Sequence, residues 1–375
     1  MGVVNIIPKV CKLFPGVTSA VLHLGMTLVA VYHSFCGNVV INTSFEKAQG
    51  IERVANFLLM PTQYLCDGKV ITLDGNNHFE VKRRFQYSAH KKIYSPLSLT
   101  FFTPGLILGG TIKGIALLNP EVKKRHLALK AHFASTEVVP ELDYYREVGI
   151  DVTDWQKGEK CISQGYKRGP GAENHLAADK EGLKAIITLL TEAKIPFWVD
   201  CGTCIGVYRH GGIIPWDNDL DISVLINDFQ NVRNVLKQLN PKKFASQDWS
   251  GRNSSGNYIR VYIKESHNHI DIYHNAIDPI GKTVTYIIAH QESHFMAQDW
   301  KEREKRQSHP IPFDVIFPLK RGMLDGIEVP VPNQTARFIQ YKYGPNIDPP
   351  RLYNEKSGRY EKDLSHPYWN VPLAH

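Results

Sequence analysis

Cysteine is scarce, with six residues in 375, at positions 11, 36, 66, 161, 201 and 204. So few half-cystines exclude a disulfide-stapled scaffold and point to reduced thiols in a cytosolic setting. Cys201 and Cys204 form a lone CxxC with no second ligand pair at zinc-site spacing nearby, so they read as two small residues at a strand–turn–helix junction. Long blocks of one charge are missing too. The 44 Lys+Arg against 37 Asp+Glu leave a net charge of +7 spread along the chain. That excess is compatible with a polyanion or an acidic membrane and demands neither. Basic residues are not clustered with stacking aromatics, which argues against nucleic-acid binding. Repeats and low-complexity tracts are absent. With 43% hydrophobic and 22% charged residues, the chain reads as a folded protein of two or three domains.

Charge is absent altogether from Leu13 to Phe45 and again from Ile93 to Ile112. The first run is long enough to cross a bilayer core, which takes roughly 20 residues, though His23, His33, Asn38 and Asn42 interrupt it. It is too long for the apolar core of a cleaved signal peptide. The second run contains Pro104, Gly105, Gly109 and Gly110, which predicts a kinked or re-entrant segment. Lys9, Lys12, Lys82, Arg83, Arg84, Lys91, Lys92, Lys113, Lys123, Lys124 and Arg125 flank the two runs. Positive residues prefer the cytoplasmic face, so residues 1–150 read as an apolar region with a membrane hairpin entered from the cytoplasm. This reading makes the protein membrane-associated, with its second half facing the cytoplasm. A pair of buried helices in a soluble cytoplasmic protein is the alternative.

Residues 170–350 read as a regular α/β domain. Asn174 or Asp179 is placed to cap a helix with Leu176, Leu183, Ile186, Ile187 and Leu190 on one face, ending before Pro196. A strand at Phe197-Trp198-Val199, a short helix near 204–210, a strand at 220–225, a helix opening at Asp228 and strands near 258–264 and 269–274 follow. The remaining residues, 351–375, are rich in proline and aromatics and are expected to lie extended over the surface.

The densest chemical signal is Trp216-Asp217-Asn218-Asp219-Leu220-Asp221-Ile222. Residues two apart on a strand share a face, so Asp219 and Asp221 point together, with Asp217 close by. Carboxylates so placed repel one another unless a cation neutralises them, and Mg²⁺ or Mn²⁺ suits such hard oxygen ligands. An isolated acidic triplet would be a solvated loop, but two neighbours argue otherwise. Asp200-Cys201-Gly202-Thr203 sits between a strand and a helix, where Gly202, the Thr203 hydroxyl and the helix N-terminus suit a phosphate. Asp271 is a lone acid in an apolar strand, where an uncompensated charge is costly. Arg209 is a phosphate clamp or a surface cation, Arg260 is a second candidate, and His210 is a proton shuttle or a structural histidine.

The run from Gly202 through Arg209-His210-Gly211-Gly212 and Pro215-Trp216 to Ile222 resembles the signature of the LicD/fukutin family, G-T-x-L-G-x-x-R-H-x-G-x-I-P-W-D-D-D-x-D. Ile316-Phe317-Pro318-Leu319, Val331-Pro332-Asn333 and Tyr343-Gly344 resemble its closing segment. The resemblance covers about residues 175–350 and none of the first 150. It implies a nucleotidyltransferase-like mixed sheet flanked by helices. It implies transfer of a phospho-alcohol, phosphocholine or a polyol phosphate, from a CDP-linked donor to a glycan or glycolipid, with release of CMP. By position, Asp219, Asp221 and Asp271 would be catalytic and hold Mg²⁺ or Mn²⁺, with Asp271 favoured as base. Gly202, Thr203, Arg209, His210, Asp217 and Arg260 would bind substrate. Asn218 departs from the usual Asp and is expected to point away from the metal face, while Cys204 replaces an aliphatic residue. Rival readings are nucleotidyl transfer from an NTP with release of pyrophosphate, and an inactive membrane-bound scaffold.

Overall fold

A computed structural model describes residues 48–59, 61–62, 69–73, 79–83, 91–134, 137–152, 155–158, 172–217, 219–248, 258–288, 298–371 and 374. The charge-free run 13–45 and Asn218 lie outside the described residues. In the first half, helix α1 (Gly50–Leu58) packs on α2 (Lys91–Ala116), and α3 (Pro120–Ala134) follows. The helix is continuous through Pro104-Gly105 and Gly109-Gly110, which all lie within α2. Gly105 and Gly109 are four apart and so share a helix face. A Cβ added at Gly105 would meet the Leu58 carbonyl oxygen at 2.5 Å, and one at Gly109 would meet Leu59 Cγ at 2.7 Å. These glycines bring two helices together rather than ending one.

The chain turns after Ala116, with 113° between Thr100–Ala116 and Pro120–Ala128. No single described helix is long and apolar enough to cross a membrane, although this bent pair has the length and composition when taken together. Glu52 is buried against the pair, accepting from Lys113 Nζ at 2.8 Å and from Arg125 at 2.7 Å, while Lys113 also donates to Asn56 Oδ1 at 3.2 Å.

The second half carries a mixed sheet of β1 (Phe197–Val199), β2 (Asp219–Leu225), β3 (Phe244–Asp248), β4 (Tyr258–Ile263), β5 (His269–Asp278), β6 (Thr283–Tyr286) and a short strand at Ile311–Pro312. β2 and β5 run parallel at the centre, and every other pairing in this sheet is antiparallel. β4 and β6 share the second edge of β5, against its first and last halves respectively. Central strands covered on both faces read as unbroken apolar runs. Ile222, Val224, Leu225, Ile270 and Ile272 are accordingly buried with Phe197 and Trp198.

Helix α4 (Ala172–Glu192) packs on the sheet through Leu183, Ile186 and Leu190. Asn174 and Asp179 both lie inside α4, so neither caps it. Asp179 is buried and accepts from Ser266 Oγ and, at 2.7 Å, from Asn268 Nδ2, tying the helix to the β4–β5 turn. Helices α5 (Cys201–Arg209), α6 (Phe229–Leu236), α7 (Gln298–Arg306) and α8 (Thr335–Tyr343) follow, with the antiparallel pair β7 (Lys320–Leu324) and β8 (Ile327–Val331) between the last two. The tail is not extended. It folds into a hairpin of β9 (Arg351–Asn354) and β10 (Arg359–Lys362), then a 3-10 turn at Pro367–Asn370.

Candidate active site

The parallel pairing of β2 and β5 sets the centre of the site. Asp219 lies opposite His269, and Asp221 opposite Asp271. The period-2 alternation of both strands turns these four side chains to one face. One ligand atom from each of Asp219, His269 and Asp271 lies within 4.8 Å of the other two. His269 Nε2 is 3.8 Å from Asp219 Oδ2 and 3.7 Å from Asp271 Oδ2. Burial holds His269 below the usual imidazole range, with Asp271 acting in the opposite sense. His269 therefore offers a neutral nitrogen at neutral pH.

The two buried acids are held differently. Arg260, opposite Asp271 on β4, donates to both its oxygens, Nε to Oδ1 at 2.7 Å and an NH2 to Oδ2 at 2.8 Å. The same NH2 donates to the Tyr258 hydroxyl at 2.8 Å. Among the described residues Asp221 has no such partner. Burial raises its pKa well above the ordinary carboxylate value, and the negative charges of Asp219, Asp271, Asp217 and Asp200 raise it further. Buried repulsion of this kind is what a divalent cation relieves.

Behind this layer, Asp200 caps α5 by accepting from the Cys201 backbone N–H at 2.6 Å, and it also accepts from Ser223 Oγ and from Lys342 Nζ at 2.5 Å. Lys342 comes from α8 and is buried; the Asp200 carboxylate lifts its pKa above the usual lysine range against the opposing effect of burial.

Asp219, Asp221 and Asp271 line one cavity of about 310 Å³ together with Gly202, Arg209, Asp217 and Arg260. At Gly202 a Cβ would collide with the Asp217 carboxylate, so the glycine makes room for that acid. Arg209 donates to the Ile347 carbonyl at 2.5 Å and the Asp348 carbonyl at 3.3 Å, which secures the loop after α8. Two expected residues lie outside the cavity. The Thr203 hydroxyl accepts from the Asp221 backbone N–H at 2.8 Å, pinning α5 to β2. His210 is buried against Trp216 and Tyr360, with no hydrogen-bond partner on either ring nitrogen among the described residues, and burial followed by Arg209 depresses its pKa to about 4.

Sequence reasoning missed His269, although it sits two residues before Asp271 on the same strand face. It also missed Lys342 and the far wall of the cavity, formed by Tyr258, Tyr286, Trp300, Glu304 and the tail residues His366 and Tyr368. Glu304 accepts from the Tyr286 hydroxyl at 2.9 Å. These come from separate elements whose convergence no local pattern announces.

Fold and site define an α/β domain with an acidic cleft at the start of two parallel central strands. Residues 194–334 match the LicD/FKTN/FKRP nucleotidyltransferase domain. The chain is 27% identical to mouse "Ribitol 5-phosphate transferase FKRP" over 327 residues, 79% of this chain and 61% of the mouse protein. It is 28% identical to the human protein of the same name over 179 residues, 46% of this chain and 32% of that one. A 51-residue stretch is 41% identical to mouse "Ribitol-5-phosphate transferase FKTN", 14% of this chain and 11% of that protein. The chain thus spans less than two thirds of these relatives.

Proposed function

We propose that this protein transfers a phospho-alcohol group, with ribitol phosphate the first candidate, from a CDP-linked donor to a hydroxyl of a glycan or glycolipid. The observation that carries this reading is the convergence of Asp219, Asp221 and Asp271 in one cavity inside the family-matched region, with His269 beside Asp219 and Asp271. The relatives' names, ribitol 5-phosphate transferases, make ribitol phosphate the first candidate.

Asp219, His269 and Asp271 fit Mn²⁺ or Mg²⁺, since they offer hard carboxylate oxygens, one neutral imidazole and mutual distances that one ion can span. When bound, such an ion would neutralise diphosphate charge and stabilise the leaving CMP. The Arg260 clamp fixes Asp271 as an oriented ligand and makes it a poor base, so we assign the proton transfer to Asp221. The acceptor hydroxyl oxygen attacks the donor's distal phosphorus, its proton goes to an Asp221 oxygen, and the bond from that phosphorus to the CMP oxygen breaks. Asp217 and the α5 N-terminus border the donor, and Arg209 holds the loop at Ile347 and Asp348 that closes one side.

The test is product analysis with CDP-ribitol and a hydroxyl-bearing glycan acceptor in the presence of Mn²⁺. Release of CMP matched by acceptor phosphorylation supports the reading. Pyrophosphate release from an NTP, without CMP release from CDP-ribitol, would replace it with nucleotidyl transfer.

The α1–α3 layer supports a lipid-proximal acceptor. Ile107, Leu108, Ile115, Leu118 and Leu127 are exposed on α2, its turn and α3, and Ile51, Val54 and Phe57 on α1, while Glu52, Asn56 and Lys113 are buried together. Apolar groups outside and charges inside suit contact with a bilayer surface better than contact with water.

A further inference from the structure

The acidic cleft is walled on one side by residues beyond the family-matched region, among them Asp348, Pro350, His366 and Tyr368. His366 stands apart within that wall. Its Nδ1 accepts from the Tyr368 backbone N–H at 3.1 Å, capping the 3-10 turn at Pro367–Asn370. A nitrogen that accepts is unprotonated, so the neutral ring carries its hydrogen on Nε2. That Nε2 is buried and has no hydrogen-bond partner among the described residues, in a residue only 8% exposed. Buried donors are nearly always matched, and one left over beside a ligand cavity calls for an acceptor from outside the chain.

We propose that His366 is a substrate-binding residue whose Nε2–H donates to an oxygen of the nucleotide donor. This rests on the CDP-donor reading above and adds to it a contact supplied by the tail. The neutral ring has one hydrogen to donate, and CDP offers acceptor oxygens for it on its phosphates, ribose and base. The second ring nitrogen remains committed to the turn, so its cap orients the donor.

Two isosteres separate the roles. H366N keeps an oxygen near the Nδ1 position to cap Tyr368 and loses the Nε2 donor. H366Q keeps an N–H near Nε2 and loses the cap. Calorimetric titration of CDP with Mn²⁺ into full-length wild type, H366N and H366Q, with melting temperatures measured alongside, is the experiment. The expected result is CDP binding weakened roughly tenfold in H366N at unchanged melting temperature, as for a lost buried hydrogen bond. H366Q should bind within about threefold of wild type despite melting lower, since the donor is retained and only the cap is lost. Wild-type affinity in a folded H366N overturns the inference alone. Failure of wild type itself to bind CDP overturns the donor reading and this inference with it. If H366N fails to fold, H366Q decides: weakening as large as removal of the donor would give marks His366 as a turn cap and overturns the proposal.

Discussion

At the scale of single residues, Asp221 is caught between burial and four other carboxylates, with no arginine among the described residues to answer it as Arg260 answers Asp271. Its folded-state pKa is raised, so in the cation-free protein it detracts from stability once pH rises above the unfolded carboxylate value of about 4. D221N should therefore raise the melting temperature of metal-free protein at pH 7. The gain should shrink as pH falls toward about 4 and vanish below it, where both states carry the proton. Thermal melts of the two proteins across that range check this. His210 has the opposite sign. Its pKa falls from the usual ~6.5 to about 4, so the wild type should lose stability as pH drops between those values. H210F should remove about 2 kcal/mol of that acid sensitivity, read from urea unfolding at pH 7 and pH 4.5. The alternation through Asp219 and Asp221 made the acid face legible in the sequence. His269 was legible by the same alternation and overlooked. Thr203 and His210 lie outside the cavity, because position in a motif does not say whether a polar group faces a ligand or its own backbone.

At the scale of elements, the site depends on pieces that brace one another. Lys342 from α8 holds Asp200, which caps α5 and accepts from Ser223 on β2, so one buried cation joins three elements. K342M leaves Asp200 buried without its counter-charge and should cost about 3–5 kcal/mol, measured by denaturant unfolding. The tail braces the motif loop in another way. The Arg351 guanidinium lies 5.4 Å from the ring centroids of both Trp216 and Trp369, and Tyr360 packs on Trp216 at 4.8 Å. W369A should lose about 1 kcal/mol of this stacking and loosen Trp216-Asp217, visible as a change in tryptophan fluorescence and weaker CDP binding. Apolar periodicity foretold α4, β2 and β5, since their buried faces are written in the sequence. The unbroken α2 could not be read this way, because its glycines answer to α1 and not to their own helix. Asp179 also looked like a cap and serves a contact with a distant turn.

At the scale of the whole molecule, the site draws on the family-matched domain and on residues after it, while α1–α3 form a helical layer of their own. The division at residue 350 inferred from composition separates the tail from a cavity it helps to line. The cytoplasmic orientation inferred from the basic flanks finds no support in the structure. Paired replacement of Ile107 and Leu118 by Glu should reduce co-sedimentation of full-length protein with phospholipid vesicles several-fold, since the proposed membrane contact is apolar and exposed. Unchanged sedimentation would remove lipid from the account. The central claim is that Asp219 belongs to a cation-assisted diphosphate site. Calorimetric titration of CDP into wild type and D219N, each with and without Mn²⁺, tests it most directly. Binding that needs Mn²⁺ and is lost in a folded D219N is the predicted result. CDP binding that is indifferent to both the ion and the substitution would contradict the account.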